Sequence, residues 1–320
     1  MKLSSTLFSL HLLLIACAGA HAQWQPARTV QLILPNAPGG GPDFIARLMA
    51  PRLAQAVKQN VVVDNRASNN GIVGTEIAAH GAADGSVMII GNSGTHAINA
   101  TLYRKLPYDP VRDFAAVSEI ASPTVVLVTH PSVPVRNLND LLALARKSPG
   151  KLNAAIAGAT GELSGNALKL LAGVDFRNIP YKGAGPSIVA LISGESDLLF
   201  TNYVAVEKHI EAGKLRILGI TSAKRSARIP NVPTIAESGV EGYAVEMWYG
   251  LFMPAKTPPA MVQAVYRETS RIFALPEVRG RLEATGHTVI NSAPEQFSEK
   301  VKREVEKFRG IILKSGMQLN

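Results

Sequence analysis

Short apolar segments that end in proline or glycine, each followed by an amphipathic segment, recur along this chain of 320 residues. Residues 29–35 (TVQLILP) form the first one and predict a buried strand, because the run is short, aliphatic and closed by proline. Residues 44–57 then carry apolar side chains at helical spacing. The alternation predicts an α/β chain with parallel sheets and right-handed crossovers.

The same alternation continues along the chain. Further strands are predicted at 61–64, 87–90, 125–129, 152–157, 176–181, 198–203, 215–221 and 249–253. Further helices are predicted at 72–79, 138–146, 163–171, 186–192, 204–211, 259–273, 277–285 and 295–313.

A chain of this length fits two α/β units better than one core. We expect a discontinuous first lobe, residues 23–121 with 225–320, and a second lobe, residues 122–224. No Ser/Gly linker separates them, so we expect strand-like crossings near 121–124 and 221–225, which suits a hinge.

The N-terminal segment, residues 1–22, is typical of a secretory signal. Its apolar core at 7–16 is too short to span a bilayer, and Ala20-His21-Ala22 predicts cleavage before Gln23. A periplasmic location follows. The alternative is a lipobox at residues 14–17, which would place a lipid on Cys17.

Composition excludes several classes of protein. Lys and Arg number 33 against 24 Asp and Glu, but they are scattered singly, so no nucleic-acid partner is expected. The single cysteine, Cys17, leaves the rest of the chain without a disulfide framework, thiolate metal site or cysteine nucleophile. The histidines are dispersed, and neither a metal nor a cofactor is expected.

Glycine-rich turns between strands and helices are the strongest candidate site. The first is Pro38-Gly39-Gly40-Gly41-Pro42-Asp43. Pro42 suits the first helical turn, and the glycines allow a ligand to approach free N–H groups at the positive end of a helix dipole. This predicts an anion site, for example for a carboxylate; the alternative is a tight connection without a ligand.

Similar turns follow other strands, at 91–96, 158–164 and 181–186, where open α/β sheets bind ligands. Polar loops without ligands, and a solvated Lys182, are the alternatives. The candidate ligand-binding residues are Pro38, Gly39, Gly40, Gly41, Asp43, Ser93, Gly94, Thr95, His96, Gly158, Thr160, Gly161, Ser164, Tyr181, Lys182, Gly183, Thr201 and Asn202.

Catalytic motifs are poor in this sequence. Residues 91–95 lack the last glycine of Gly-x-Ser-x-Gly, and H-E-x-x-H, Walker A and G-x-G-x-x-G motifs are absent. A Ser/His/Asp triad remains an alternative at this point, because its members come together only in the folded chain. An extracytoplasmic serine hydrolase using Ser93 or Ser164 is therefore kept as the alternative.

The order of these motifs resembles the Bug family, the extracytoplasmic solute receptors of tripartite tricarboxylate transporters. Besides the first glycine turn, the resemblance rests on Val63-Asp64-Asn65-Arg66, Thr95-His96-Ala97-Ile98-Asn99, Leu106-Pro107-Tyr108-Asp109-Pro110, Ile179-Pro180-Tyr181-Lys182-Gly183 and Trp248-Tyr249-Gly250-Leu251-Phe252.

The resemblance implies a two-lobed periplasmic-binding-protein fold of type II with the ligand cleft between the lobes. It also implies that backbone amides and ordered waters hold a carboxylate, from residues 38–43 in one lobe and 158–164 in the other. The family usually has an aromatic residue where this chain has Asn36, Ser-His at Leu163-Ser164, and Asp at Thr201. Loss of that Asp favours a ligand without an amine.

We therefore expect a monomeric, non-catalytic receptor. It would capture a small carboxylated metabolite and deliver it to the membrane permease subunits of a tripartite transporter. Besides the hydrolase, the alternative is a ligand sensor for a signalling partner such as a sensor kinase.

Overall fold

The computed structural model describes residues 26–317, and the predicted signal segment with Cys17 lies outside them. The strands of this part form two sheets. Numbered in chain order, the strands of the first sheet are β1 Val30–Leu34, β2 Val61–Asn65, β3 Val87–Asn92, β4 Phe114–Pro123, β10 Tyr249–Pro254 and β11 His287–Val289. They lie in the order β11-β4-β10-β3-β1-β2.

The second sheet has the order β7-β6-β8-β5-β9. Its strands are β5 Val125–Thr129, β6 Asn153–Ile156, β7 Arg177–Pro180, β8 Leu198–Asn202 and β9 Arg216–Ile220.

The helices flank these sheets. They are α1 Gly41–Val57, α2 Ile72–Ala79, α3 Asn99–Leu102, α4 Leu138–Lys147, α5 Gly158–Ala172, α6 Ala184–Ile192, α7 Tyr203–Glu211, α8 Pro259–Ala274, α9 Pro276–Ala284 and α10 Pro294–Ser315, with a 3-10 turn at Asn69–Gly71 and a π-helical turn at Gly94–Ile98.

Most of the predicted helices and strands are confirmed to within a few residues. One exception matters for function, since α5 begins at Gly158 and not at the predicted residue 163. Gly158 has a φ of 74°, a left-handed conformation that glycine adopts without strain. The glycine-rich segment predicted as a loop is therefore the first turn of the helix.

The prediction of parallel sheets is wrong in part. Strands β1–β2 and β1–β3, and β6–β7 and β6–β8, are parallel. Strands β4, β5, β10 and β11 make antiparallel pairs. The sequence did not predict β4, because FAAVSEIASP is rich in Ala and Ser. Its place between β10 and β11 supplies the pairing that local propensity lacks.

The chain passes between the sheets at two places. Thr124 alone separates β4 from β5, and its N–H donates to Gly286 O. After β9 the chain stays on the second sheet, since Val245 N still donates to Thr221 O. It rejoins the first sheet at Tyr249, so we propose residues 246–248 for the return crossing instead of 221–225.

Helix α10 joins the two halves of the core. It packs against β4 and the π-helical turn of the first unit and against α5 of the second, so it contacts both units. Trp248 is fully buried, and its ring lies 5.2 Å from that of Phe297 on α10. Buried side chains of both units, such as Phe252 and Leu163, belong to the same apolar cluster. This shared core fixes the walls of the clefts described next.

Candidate ligand-binding site

The cavity between the two units, called the main cavity below, has a volume of about 620 Å³ and lies at the carboxyl ends of several strands. A larger cavity of about 910 Å³, lined by residues such as Arg104 and Arg309, shares none of its lining residues. To the main cavity, the first unit contributes the loop after β1, the 3-10 turn, the start of the π-helical turn, Met247 and Tyr249. The second unit contributes the starts of α5 and α6 with their preceding residues. Its size is that of a small-molecule site.

The second unit presents two open helix ends to this cavity. Helix α5 follows Ala157 and helix α6 follows Gly183, and no side chain of the described residues caps either one. Neither first turn holds an acidic residue. Free N–H groups and the positive end of the helix dipole attract anions. Lys182 lies beside the α6 end and is the only charged side chain among the described residues that line the cavity.

The first glycine turn is already occupied by its own carboxylate. Asp43, in the first turn of α1, accepts from Gly39 N at 3.0 Å, Arg47 Nε at 2.9 Å and Asn65 Nδ2 at 3.2 Å. The hydrogen bond from Arg47 is the main cause that lowers the pKa of Asp43, with the Gly39 and Asn65 hydrogen bonds acting in the same direction against the cost of burial. A negative charge of the chain therefore already lies in the first turn of α1, although no side chain of the described residues caps this helix.

The glycines of the first turn face a second cavity. This cavity, of about 360 Å³, is lined by Gly39, Gly40 and Gly41 on one side and by residues such as Asn202 and His287 on the other. A Cβ at Gly41 would lie 2.9 Å from Tyr249 Oη, so only glycine lets these elements approach so closely.

Asparagine side chains form part of the first unit's wall. Thr95 N donates to Asn92 Oδ1 at 3.1 Å, and Asn92 Nδ2 donates to Asn36 Oδ1 at 3.4 Å. Asn65 Nδ2 donates to the main-chain oxygen of Asn36 at 3.3 Å. These bonds hold the loop after β1 against the loop after β3.

The candidate catalytic side chains lie in the core. His96 is fully buried, its ring stacks on Phe252 at 3.9 Å, and burial lowers its pKa to about 3. It is therefore neutral at physiological pH. Ser164 Oγ donates to Thr160 O, and Ser93 Oγ is buried without a partner among the described residues. Neither serine hydrogen-bonds to a histidine in residues 26–317.

The candidate residues thus fall into three groups. The main cavity is lined by Gly94, Thr95, Gly158, Thr160, Tyr181, Lys182 and Gly183. The second cavity is lined by Gly39, Gly40, Gly41 and Asn202. The remaining candidates, which line neither cavity, are Pro38, Asp43, Ser93, His96, Gly161, Ser164 and Thr201.

Sequence reasoning missed the wall formed by Ser68, Asn69 and Asn70, and by Met247. The first three follow β2 after a gap of two residues, where small polar residues beyond the carboxyl end of a parallel strand were the available signal. Met247 gave no signal, because it reaches the cavity only through the return crossing.

Comparison with known families decides the class of protein. Residues 45–317 match the family described as the tripartite tricarboxylate transporter family receptor. The chain belongs to this family. The receptor is 33% identical to the protein BugT of Bordetella pertussis over 312 residues, which cover 95% of this chain and 96% of BugT.

Solved structures extend the similarity to the fold. Rpa4515 of R. palustris, solved with adipate, has a TM-score of 0.80 and 33% identity, covering 91% of the receptor and 98% of that chain. MatC of Rhodopseudomonas palustris, solved with bound malate, has a TM-score of 0.78 and 30% identity, covering 90% and 99%. The resemblance seen in the sequence is confirmed, and the receptor has the two-lobed α/β fold of periplasmic binding proteins.

Family and fold are those of extracytoplasmic binding proteins. Within residues 26–317, no helix has the length and apolar character needed to cross a bilayer. The same part of the chain holds no cluster of three or more His, Cys, Asp or Glu side chains arranged to bind a metal ion.

Proposed function

We propose that the receptor captures a small carboxylated metabolite that carries no ammonium group, and delivers it to the permease subunits of a tripartite transporter. One observation carries this proposal. The main cavity receives two uncapped helix N-termini and Lys182, while no acidic side chain of the described residues lines it. Such a cavity attracts negative charge and has no counter-charge for an amine.

The direct contacts are proposed for the candidates that line the main cavity. Backbone N–H groups at Gly158 and Thr160, with Lys182, would hold the carboxylate, and Gly94 and Thr95 would close on it from the first unit. Gly183 would shape the start of α6, since its own N–H already donates to Tyr181 O at 2.9 Å. Tyr181 would contribute its ring, since its hydroxyl donates to Glu195 at 2.9 Å.

The other candidates would act from further away. The first glycine turn and Asn202 shape the wall between the two cavities. Asp43 would hold that turn in place. The remaining candidates would pack behind the residues that line the cavity: Ser93, His96, Gly161, Ser164 and Thr201. Closure of the two units would exclude water and strengthen the amide–carboxylate hydrogen bonds at low local dielectric.

The proposal that the ligand carries no amine is supported by more than one residue of the receptor. The sequence pointed to Thr201, but this side chain is buried on β8 and does not line the main cavity. The argument now rests on the whole lining, in which the described residues supply donors and one positive charge. The adipate of Rpa4515 and the malate of MatC, both carboxylates without an amine, support the same class of ligand.

Isothermal titration of the purified protein with malate, adipate and aspartate tests the ligand class. Malate and aspartate differ only in a hydroxyl against an ammonium group. We expect malate to bind at least about tenfold more tightly, because a buried unpaired ammonium is costly. Equal or tighter binding of aspartate would refute the charge argument, and binding of none of these acids by folded protein would refute the receptor proposal.

Substitution of Lys182, the one cation that residues 26–317 contribute to the lining, gives a second test. Lys182→Met removes the charge and keeps the length of the side chain, and we expect about a tenfold loss of malate affinity. Lys214→Met is the matched control, since Lys214 is exposed in a turn after α7 and lies outside the cavity. Equal effects of the two variants would show that only overall charge matters.

Secretion and delivery complete the proposal. The mature protein is proposed to begin at Gln23 in the periplasm and to act as a monomer, and mass spectrometry of the N-terminus tests the start. A diacylated Cys17 would replace this with a lipid anchor. Capture of the ligand-loaded protein by permease subunits in reconstituted membranes tests delivery; capture only by a sensor-kinase ectodomain would assign sensing instead.

A further inference from the structure

The side-chain amide of Asn92 can be oriented in only one way, because its partner is a backbone N–H, which can only donate. The backbone N–H of Thr95 donates to the Asn92 side chain at 3.1 Å, so the atom that receives it must be Oδ1. A Cβ at Gly94 would lie 2.8 Å from this oxygen, so glycine leaves room for the contact. The amino group of Asn92 therefore points away from the π-helical turn.

Asn92 in turn fixes Asn36. Because Asn92 Nδ2 is a donor, the atom of Asn36 facing it at 3.4 Å must be the acceptor Oδ1. The Asn36 main-chain oxygen accepts from Asn65 Nδ2, which also donates to Asp43 and so anchors the loop. Asn36 Nδ2 keeps both hydrogens, without a partner among the described residues, on a side chain that lines the main cavity.

A free carboxamide amino group recognises acceptors. It offers two N–H donors, which suit a carboxylate, an oxo group or a hydroxyl oxygen. A saturated hydrocarbon placed against it would remove its water and return no hydrogen bond. Asn36 belongs to the first unit, whereas the two open helix ends and Lys182 belong to the second. A ligand with acceptors at both ends can therefore be held from both sides.

We propose that Asn36 is a specificity-determining residue that selects acids with a second acceptor group over acids with a saturated chain. The proposal rests on the proposed function and names the ligand class more narrowly. The carboxylate held by the second unit is common to both kinds of acid, and Asn36 discriminates by what lies beyond it.

Succinate and butyrate test this discrimination, since they share a four-carbon chain and differ in the second carboxylate. Titration of the wild type should give at least about a tenfold preference for succinate, the value expected of one good charge-assisted hydrogen bond. Asn36→Leu, of similar size, should reduce that ratio about tenfold, through weaker binding of succinate and not of butyrate.

Asn36→Asp keeps the shape and replaces the donors by a negative charge. It should weaken succinate further than Asn36→Leu does and weaken butyrate much less, because the single carboxylate of butyrate lies at the second unit. Asn231→Leu, at an exposed turn outside both cavities, is the matched control and should leave the ratio unchanged. Thermal melts of all variants check that they are folded.

The outcomes separate this inference from the function on which it rests. Equal weakening of both acids in the Asn36 variants, or equal binding of both acids by the wild type, would overturn the selective role of Asn36 and leave the receptor intact. Failure of the folded wild type to bind any acid of either series would overturn the proposed function, and this inference with it.

Discussion

The two glycine-rich helix ends have similar sequences, but only α1 has a carboxylate in its first turn. Helix α1 begins at Gly41 with Asp43 as its third residue, and helix α5 begins at Gly158 with Thr160 as its third residue. In the first, the Asp43 carboxylate accepts from Gly39 and Arg47. The first turn of the second holds no acidic residue, and a Cβ built at Gly158 would meet no described residue outside its own turn within 4 Å; neither helix has a side-chain cap from the described residues.

The comparison separates a helix end that has a carboxylate in its first turn from one that has none. Both provide free N–H groups and the positive end of a dipole. A bound anion gains more at the end without a carboxylate, because Asp43 would repel it at the other. Substitution of the third residue of each helix therefore tests whether this difference in charge decides which end binds the anion.

Thr160→Asp should have the largest effect, since it gives the second helix end the carboxylate of the first. We expect about a hundredfold loss of malate affinity, because two carboxylates would compete for the same N–H groups. Unfolding in urea should show equal or slightly higher stability, since an acidic residue in the first turn favours the helix.

Thr160→Asn is the matched control, of similar polarity without the charge, and should lose about fivefold at most. An affinity for malate that survives in the Thr160→Asp variant would show that the α5 end is not the anion site.

Asp43→Asn should affect stability more than binding. We expect the free energy of unfolding to fall by about 1.5 kcal/mol, since the variant loses an ion pair and charge-assisted hydrogen bonds, one of whose partners, Arg47, is largely exposed. Malate affinity should stay within about threefold. A large loss of affinity at unchanged stability would instead make the first turn a direct ligand contact.

The pH dependence of the free energy of unfolding gives a further test of the role of Asp43. Hydrogen bonds from Arg47, Gly39 and Asn65 lower the pKa of Asp43 in the folded state. Its contribution to stability is therefore present above the unfolded pKa of about 3.9 and is lost as pH falls through the lower folded pKa. Urea unfolding between pH 5 and pH 3 should show a flatter acid limb for Asp43→Asn than for the wild type; identical slopes would contradict the assignment.

The smallest expected effects concern the glycines themselves. Gly158 has a φ of 74°, so Gly158→Ala should cost about 1 kcal/mol of stability. Gly40 has a φ of −85°, and a built Cβ would make only ordinary van der Waals contacts, so Gly40→Ala should change stability by less than about 0.5 kcal/mol. Thermal melts of both variants measure the difference, and equal costs would show that conformation at α5 is not special.

Local patterns were sufficient for much of the fold. Apolar runs closed by proline or glycine predicted β1 and β5, and helical periodicity predicted α2 and α10, because these signals depend only on neighbouring residues. They did not predict β4, whose sequence is a poor strand former and whose pairing comes from β10 and β11. They also did not predict antiparallel pairs, which follow from how the chain passes between the sheets.

For the candidate site, the sequence by itself determined where flexible turns and free helix ends occur, since glycine, proline and strand ends are read locally. The tertiary structure added the long-range partner of Asp43, because Asn65 reaches Asp43 only once β2 lies beside β1. It also decided that His96 lies in the core and that Asn36 meets Asn92. Hydrogen bonds between residues distant in sequence form only when packing brings their elements together. No pattern of neighbouring residues therefore predicts them.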